Sequence, residues 1–166
     1  VQMQGYAINN LPKEELTSIG INNDLPQGPK ILIVPGTGLG LSILNNKKCI
    51  ATEAGHLHIP NLSQNINRIL DHFEKEKERK ATFEDLLSGK GISYIYSVLS
   101  QNIHHTYSNE DILNNLKNDK FCSETKNYLV EIYAYFAKYG ALITGSTGGV
   151  YLSGSLSEGL LKNCLL

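Results

Sequence analysis

The sequence predicts a mixed α/β fold in which a short β-sheet packs against several helices. KILIV, at residues 30–34, is a short run rich in β-branched side chains, which is typical of a buried strand. After Pro60, apolar residues recur every three or four positions, which is typical of amphipathic helices. The chain has 166 residues, of which 41% are hydrophobic and 19% are charged. Such a chain can bury one core, and its composition argues against a disordered protein.

The predicted strands cluster near the beginning of the chain. Several Pro and Gly residues interrupt residues 10–29, and Asn45-Asn46 separates two strand-like segments as a hairpin turn would. The predicted elements of this part are the end of a helix at 1–9, an irregular connection at 10–29, a strand at 30–34, a turn at 35–38, and hairpin strands at 39–44 and 47–53.

Capping residues and apolar spacing define the predicted helices. Ser63 is expected to cap the first one, and the charged residues 74–80 are expected to form its solvated end. Its apolar face consists of Ile66, Ile69, Leu70 and Phe73. The remaining predicted elements are a helix at 83–88 capped by Thr82 and stopped by Gly89 and Gly91, a helix at 92–99, a helix capped by Ser108 with Asp111, a helix from about Phe121 to Tyr139 ended by Gly140, and a strand with a turn within 149–155.

Charge and composition disfavour several classes of partner. The chain has 15 basic and 16 acidic residues, a net charge of -1, so we do not expect broad nucleic-acid binding. No apolar run approaches the roughly 18 residues of a membrane span, and the start does not resemble a secretory signal. We therefore expect no membrane partner and a cytoplasmic location. Cys49, Cys122 and Cys164 lie far apart and are expected to be reduced thiols.

The first candidate site is PGTGLG, at residues 35–40. Glycine permits a close approach of backbone N–H groups to an anion, and Thr37 adds a hydroxyl donor. A Walker-type loop would need a following Lys-Ser/Thr pair, and a dinucleotide fingerprint would need a third spaced glycine that opens a helix. Neither is present. A tight hairpin turn without a ligand is the alternative.

The second candidate is TEAGHLHIP, at residues 52–60. Glu53 can accept hydrogen bonds from hydroxyl groups and His56 can donate or accept, so the pair suits a polyol. Two structural polar side chains are the plainer alternative. A zinc site of a metal-dependent hydrolase is a third, with Glu53, His56 and His58 as ligands and His104-His105 as a further source.

Two more segments are weaker candidates. Glu84 and Asp85 lie in the first turn of a predicted helix, where acidic residues are favoured whatever the function. Residues 144–155 contain Gly148 and Gly149 before a strand and a turn of small residues after it, and together these could form a flat platform for a nucleotide. Dense packing of that strand against helices is the alternative.

The order and spacing of the four segments resemble the bacterial glucokinase family. The likeness rests on PGTGLG, EAGH, the E-x-x-L-S-G-x-G pattern and GGVYLSG, and it covers about residues 1–160. It is close to the non-repressor branch, since the repressor–kinase branch usually has a cysteine-rich zinc motif that is missing after His56. The resemblance implies an actin-like, ribonuclease-H-like sugar kinase, with residues 1–166 as its large C-terminal lobe, truncated at both ends and lacking the N-terminal lobe.

The resemblance also implies roles for single residues. By this likeness, Glu53, His56 and Glu84 bind glucose, Gly36, Thr37 and Gly38 bind phosphate, and Gly148 and Gly149 lie near the adenosine. ATP and Mg²⁺ are implied, although no ligand cluster for the metal is seen, and a homodimer is implied as well. The departures from the family pattern are Ala54, Lys90 and Ser155, none of which removes a polar ligand.

The implied activity is transfer of the γ-phosphate of ATP to the 6-hydroxyl of glucose. The family's catalytic Asp would lie directly upstream of Val1, so we expect no catalytic base within these residues and little activity from the chain by itself. The main alternative is a non-catalytic sugar-binding or interaction remnant that retains Glu53, His56 and Glu84.

Overall fold

A four-stranded mixed sheet forms the centre of the fold. The computed structural model describes residues 2–8, 10–19, 27–101, 107–114 and 118–161. The strands are β1 (Lys30–Pro35), β2 (Leu39–Asn45), β3 (Lys48–Thr52) and β4 (Val150–Leu152), in the spatial order β3-β2-β1-β4. The mixed α/β class and the predicted strand and hairpin at the start of the chain are confirmed.

The direction of β4 decides which loops meet at one edge of the sheet. β1, β2 and β3 are antiparallel neighbours, whereas β4 runs parallel to β1, with Ile31 opposite Val150 and Ile33 opposite Leu152. The carboxyl ends of β1 and β4 therefore lie at the same edge. In open α/β sheets, ligands bind outside the carboxyl ends of parallel strands.

Helices cover both faces of the sheet. They are α1 (Gln2–Ile8), α2 (Gln64–Lys77), α3 (Phe83–Leu86), α4 (Gly89–Leu99), α5 (Asn109–Asn114), α6 (Lys120–Thr144) and α7 (Ser155–Leu161), with short 3₁₀ turns at Lys13–Glu15 and Ala54–His56. None of these described helices has the length and apolar character needed to cross a bilayer. The predicted connection at 10–29 lies partly outside the described residues, as does Cys164.

Alternation along β1 divides its side chains between two cores. Ile31 and Ile33 are fully buried in the larger core, together with apolar residues of α2 to α7. Leu32 points to the opposite face and joins a smaller core with Ile8 of α1 and Cys49 of β3. Two-faced burial explains why KILIV reads as a continuous apolar run.

The predicted helix caps are largely confirmed. The hydroxyl of Ser63 accepts a hydrogen bond from the N–H of Ile66, and Ile66, Ile69 and Phe73 are buried while Leu70 is partly buried. Ser108 and Asp111 exchange the hydrogen bonds of a capping box at the start of α5. These signals are local in the chain, so they could be identified without the tertiary structure.

The predicted end of the long helix at Gly140 is wrong. α6 continues to Thr144, and Gly145, with φ of 58°, is its left-handed cap. Gly140 instead packs against the sheet, since a Cβ there would lie 2.9 Å from Cδ1 of Ile31 and 3.0 Å from Cδ1 of Leu41. The absence of a side chain lets α6 approach the sheet closely.

The prediction that Gly89 and Gly91 stop a helix is also wrong. Ser88 caps α4, which begins at Gly89 and contains both glycines. A Cβ on Gly91 would collide with the backbone carbonyl of Leu86, the last residue of α3. Gly91 therefore permits the close packing of α3 against α4, a role that depends on a neighbour in space.

Hydrogen bonds between Thr82 and Asp85 and an ion pair from Arg79 to Asp85 hold the short helix α3. Thr82 and Asp85 form a capping box, with 2.8 Å from the N–H of Thr82 to Oδ2 of Asp85. Arg79 donates a hydrogen bond of 2.7 Å to each oxygen of the Asp85 carboxylate, and its guanidinium lies over the ring of Phe73. Burial alone raises the pKa of Asp85, but the hydrogen bonds from Arg79 and Thr82 outweigh it and lower the pKa to about 2.

The collision at Gly91 predicts a specific loss of stability. We expect Gly91→Ala to lower the free energy of unfolding by about 2 kcal/mol, because the added methyl meets backbone that cannot move independently. Gly89→Ala is the matched control, since its Cβ would meet only the amide end of Asn109 at 3.2 Å. Helix propensity alone would stabilise both variants, by about 0.5–1 kcal/mol each. Urea unfolding followed by circular dichroism measures the difference, and equal stability of the two variants would contradict the packing role.

The ion pair at Asp85 predicts a pH-dependent contribution to stability. A carboxyl whose pKa is lower in the folded state stabilises the fold above its ordinary pKa, and this stabilisation is lost as the pH falls toward about 2. Asp85→Asn should cost about 1–2 kcal/mol near neutral pH, a value reduced by the exposure of Arg79. The difference from the wild type should shrink as the pH falls from about 5 to about 2. Asp71→Asn, at an exposed position of α2, is the control. A difference that stays constant across this pH range would refute the assignment.

Candidate functional site

The turn between β1 and β2 presents an open backbone surface. Gly36 and Thr37 are exposed, and a Cβ on Gly36 would meet nothing within 4 Å. The turn is closed by a hydrogen bond of 2.7 Å from the N–H of Gly36 to the carbonyl of Gly38, and the N–H of Gly89 donates to the carbonyl of Gly36 at 3.1 Å. The turn is therefore fixed from within and from α4, while its outer side is accessible to an anion. Gly36 and Gly38 do not have positive φ, so they are not needed for an unusual backbone conformation. The lack of a side chain explains them better, because it lets other atoms approach the backbone of the turn closely.

Glu84 of α3 reaches the same turn. Its Oε2 accepts a hydrogen bond of 2.8 Å from the N–H of Leu39, the first residue of β2. A Cβ on Gly38 would lie 2.8 Å from that oxygen, so glycine is required for the carboxylate to come this close. The half-buried Glu84 thus has one oxygen held by the backbone next to the turn.

Glu53 and His56 lie on a loop beside this turn. The side chains are exposed, at 91% for Glu53 and 61% for His56, and Oε2 of Glu53 lies 3.6 Å from Nε2 of His56. Thr52 orders the start of the loop, since its hydroxyl donates to the carbonyl of Leu41 at 2.9 Å and accepts from the N–H of Ala54. A carboxylate and an imidazole are therefore presented side by side to solvent from a fixed backbone.

Leu39 brings the two segments together. Gly55, between Glu53 and His56, packs against the carbonyl of Leu39 so closely that a Cβ would collide with it. The N–H of Phe83 donates to the carbonyl of Leu57 at 3.0 Å, which joins this loop to the start of α3. The three residues predicted to bind sugar thus lie on two segments that both contact the Leu39 peptide: Glu84 contacts it directly, and Glu53 and His56 flank Gly55, which packs against it.

Gly148 and Gly149 lie elsewhere. The N–H of Gly148 donates to the carbonyl of Pro29 at 2.9 Å, and the carbonyl of Gly149 accepts from Ile31 at 3.1 Å. Both glycines therefore lie at the amino end of β1, separated from the turn at 36–38 by roughly 16–20 Å of strand. Each has a structural reason to be glycine, because Gly148 packs against the backbone of residue 28 and Gly149 has φ of 117°.

The residues at the carboxyl end of β4 belong to the segment 144–155 that the sequence offered as a nucleotide platform. Ser153 donates its N–H to the carbonyl of Ile33 at 3.0 Å, and a Cβ on Gly154 would lie 3.0 Å from the carbonyl of Pro35. These two residues are neighbours of the turn at 36–38. The signal was the small-residue turn after VYL, but its location depends on β4 being parallel to β1.

The zinc alternative has no support in the part of the chain that the structure describes. Within those residues, no group of three or more His, Cys, Asp or Glu side chains is arranged to hold a metal ion. His104 and His105 lie outside the described residues. The turn offers N–H groups and a hydroxyl to a nucleotide, a donor set that suits phosphate oxygens, so Mg²⁺ would be held mainly by the phosphates.

A cavity of about 590 Å³ adjoins this site and shares Glu53 with it. It opens between β2, the 52–60 loop and the end of α6, and its walls are mostly apolar. Glu53 lines it, whereas His56 and Glu84 do not. The cavity therefore meets the candidate site at the start of the 52–60 loop.

Comparison with known sequences identifies relatives over almost the whole chain. The family model described as glucokinase matches residues 1–164. The glucokinase of Neisseria gonorrhoeae is 28% identical over 169 residues, which cover 95% of this chain and 51% of that protein. The glucokinase of Paramagnetospirillum magneticum is 28% identical over 165 residues, with 90% and 50% coverage. The chain spans about half the length of the curated relatives it matches.

Solved structures agree with this comparison at the level of the fold. A glucokinase from an Antarctic psychrotroph matches with a TM-score of 0.82 and 21% identity, over 97% of this chain and 52% of that one. A glucokinase of Balamuthia mandrillaris, solved in complex with glucose, matches with a TM-score of 0.70 and 20% identity, over 85% and 45%. Because the family model matches nearly every residue from Val1 onward and the strands and loops follow the same fold, the chain belongs to the glucokinase family.

Proposed function

We propose that this chain supplies the sugar-binding lobe of an ATP-dependent glucokinase, its large C-terminal lobe. The observation that carries the proposal is that Glu84 and the loop of Glu53 and His56 both contact the peptide of Leu39, beside the open turn at 36–38. A glucokinase of the same fold was solved with glucose bound, which supports the choice of sugar.

Glucose would be oriented by hydrogen bonds to charged and polar side chains. The carboxylates of Glu53 and Glu84 would accept from sugar hydroxyls, and His56 would donate or accept according to its tautomer. Glu84 is already fixed by Leu39, whereas Glu53 and His56 are exposed and would be ordered by the sugar. Such positioning brings the 6-hydroxyl to the phosphate and contributes to catalysis by proximity.

The reaction is a phosphoryl transfer. The oxygen of the 6-hydroxyl attacks the γ-phosphorus of ATP, a new P–O bond forms, and the bond to the bridging oxygen breaks with its electron pair leaving on ADP. The proton of the hydroxyl passes to a carboxylate base, which the family resemblance assigns to an Asp upstream of Val1. Mg²⁺ bound to the phosphates would neutralise charge during this transfer.

ATP would bind at the carboxyl edge of the sheet. The phosphates would contact Gly36, Thr37 and Gly38, whose outer side is open. The role of Gly148 and Gly149 near the adenosine stays a prediction, and their location at the other end of β1 does not favour it. Ser153 and Gly154 are better placed for a nucleotide that touches the turn.

The quaternary and cellular parts of the proposal rest on the family resemblance alone. We propose a homodimer in the cytoplasm. A non-catalytic sugar-binding remnant is the second candidate function, since Glu53, His56 and Glu84 would suffice for binding. The two candidates share every sugar-binding residue, so activity and binding must be measured separately.

Sugar binding is the first test. We expect isothermal titration calorimetry to detect glucose binding to the chain, and Glu53→Gln to weaken it about 10-fold or more, because a hydrogen bond to a charged acceptor is worth about 1.5–3 kcal/mol. Glu74→Gln, at an exposed position of α2, is the matched control and should bind like the wild type. Absence of glucose binding by the folded wild-type chain would refute both candidate functions.

Phosphorylation of glucose can separate the two candidate functions only in a protein that contains the catalytic base. The assay of the 166-residue chain therefore tests the assignment of the base. We expect the 166-residue chain to turn over roughly 10²–10⁴ times more slowly than an intact family enzyme, since this is the usual contribution of a general base. A coupled assay of glucose 6-phosphate measures this. Turnover equal to the intact enzyme would contradict the assignment of the base and would make Glu53 and Glu84 the first residues to replace.

A further inference from the structure

We propose that the cavity beside Glu53 is a second ligand site, for a small apolar molecule that carries one cationic group. The apolar body of the ligand would fill the cavity, and its cation would pair with the carboxylate of Glu53. This inference goes beyond the proposed function, and only the effect of the ligand on glucose rests on that function.

The size and the walls of the cavity suit a small organic molecule. Its volume of about 590 Å³ lies within the roughly 300–1,000 Å³ of typical ligand sites. Most of the residues that line it are apolar, and they come from β2, the 52–60 loop, the start of α3 and the end of α6. Because protein interiors are close-packed, an open space of this size between apolar walls can accept a ligand without displacing protein atoms.

Two of the lining residues are apolar and yet exposed to solvent. Leu57, on the loop, has an exposed fraction of 50%, and Ile143, near the end of α6, has one of 75%. Isolated exposed apolar side chains are ordinary, but these two lie on different walls of one cavity. A ligand that contacts both would remove apolar surface from water, which favours binding.

The inner part of the cavity is preformed. Leu41, Phe83 and Phe136 line it and belong to the larger core. The loop is fixed to the segment before α3, since the N–H of Ile59 donates to the carbonyl of Ala81 at 2.9 Å. A ligand would therefore meet ordered walls, so its binding costs little conformational entropy of the protein.

The charges around the cavity select the charge of the ligand. Among the described residues that line it, none is Lys or Arg, and Glu53 is the one acidic residue. The hydroxyls of Thr52 and Thr144 already donate to backbone carbonyls, at 2.9 Å and 2.7 Å. His58 also lines the cavity, and a neutral imidazole adds a hydrogen-bonding group but no charge. A cation would find a carboxylate here, whereas an anion would find no fixed positive charge.

Glu53 connects this site to the proposed sugar site. The carboxylate that would accept hydrogen bonds from glucose, together with His56 at 3.6 Å, is the one that would pair with the cation. A ligand that engages this carboxylate therefore competes with a sugar hydroxyl for it. Ligand and glucose should weaken each other's binding by the same factor, because coupling between two sites is reciprocal.

Three probes with the same ring system and different charges test the site. They are 1-naphthylmethylamine, which is a cation at neutral pH, the uncharged 1-naphthalenemethanol and the anion 1-naphthoate, each titrated calorimetrically into the 166-residue chain. We expect the amine to bind with a Kd of about 1 mM or below, about 3-fold or more tighter than the alcohol, because an exposed ion pair contributes modestly. Naphthoate should bind more weakly than the alcohol, and Glu53→Gln should remove the advantage of the amine.

Two neighbouring residues of α6 give a matched pair of variants that locates the binding. Ile143→Asn makes one wall polar and should weaken the binding of the amine and the alcohol about 3-fold or more. Leu142→Asn is the control, because Leu142 has a similar exposed fraction of 69% but does not line the cavity. Both positions are exposed, so neither substitution should unfold the protein. Unchanged affinities in Ile143→Asn would refute the site.

The effect on glucose is measured separately. The amine at saturation should raise the Kd of glucose about 3-fold or more, and the alcohol should leave it unchanged. If the amine binds as expected but the Kd of glucose does not change, the shared use of Glu53 is refuted. If the folded chain does not bind glucose at all, the proposed function and this antagonism fail together, while the three probes still decide whether the cavity site exists.

A second copy of the chain is the alternative occupant of the cavity. Light scattering identifies it: if no probe binds and Ile143→Asn converts a dimer into a monomer, the cavity is an interface between copies and the ligand site is refuted. Failure of all three probes to bind a monomeric chain refutes the site as well. Tighter binding of naphthoate than of the amine would refute the pairing of a cation with Glu53.

Discussion

The peptide of Leu39 is the contact on which the candidate site depends. Its N–H is held by Glu84, and its carbonyl lies against Gly55. Leu39 is also the first residue of β2 and is buried in the larger core, so this peptide has a position fixed by the sheet. The 52–60 loop, the short helix α3 and the turn at 36–38 are all positioned relative to this peptide.

The rigidity of α3 comes from electrostatics more than from length. Four residues are too few for a helix to be stable by propensity alone. The capping box of Thr82 and Asp85 stabilises the helix instead, together with the two hydrogen bonds from Arg79 to the carboxylate of Asp85. Asp85 thus fixes the backbone from which Glu84 projects. The neutral interpretation of a favourable helix start describes Asp85, whereas Glu84 holds the N–H of Leu39 and its role as a sugar ligand stays a prediction.

The sequence predicted what depends on neighbours in the chain and failed where the neighbour lies elsewhere in space. Ser63, Thr82 and Ser108 were recognised as caps because capping partners lie within three residues. Gly140 and Gly91 were misjudged because a glycine can end a helix or allow close packing, and only the positions of Ile31 and Leu86 decide between these roles. The same limit affected the site. Glu53, His56 and Glu84 were found through the family resemblance, but the proximity of Ser153 and Gly154 to the turn follows from the parallel direction of β4, which no local pattern encodes.

Exposure divides the three sugar-binding candidates into two kinds. Glu53 and His56 are solvated, so ordering them on a ligand costs side-chain entropy, and water competes for their hydrogen bonds. Glu84 is half-buried with its carboxylate already fixed, so it meets a sugar hydroxyl without that cost. Any part of the protein that covered Glu53 and His56 would exclude water and strengthen their hydrogen bonds, because charge interactions grow as the local dielectric falls. Selectivity for a hydroxyl pattern should then depend first on Glu84 and only after closure on the exposed pair.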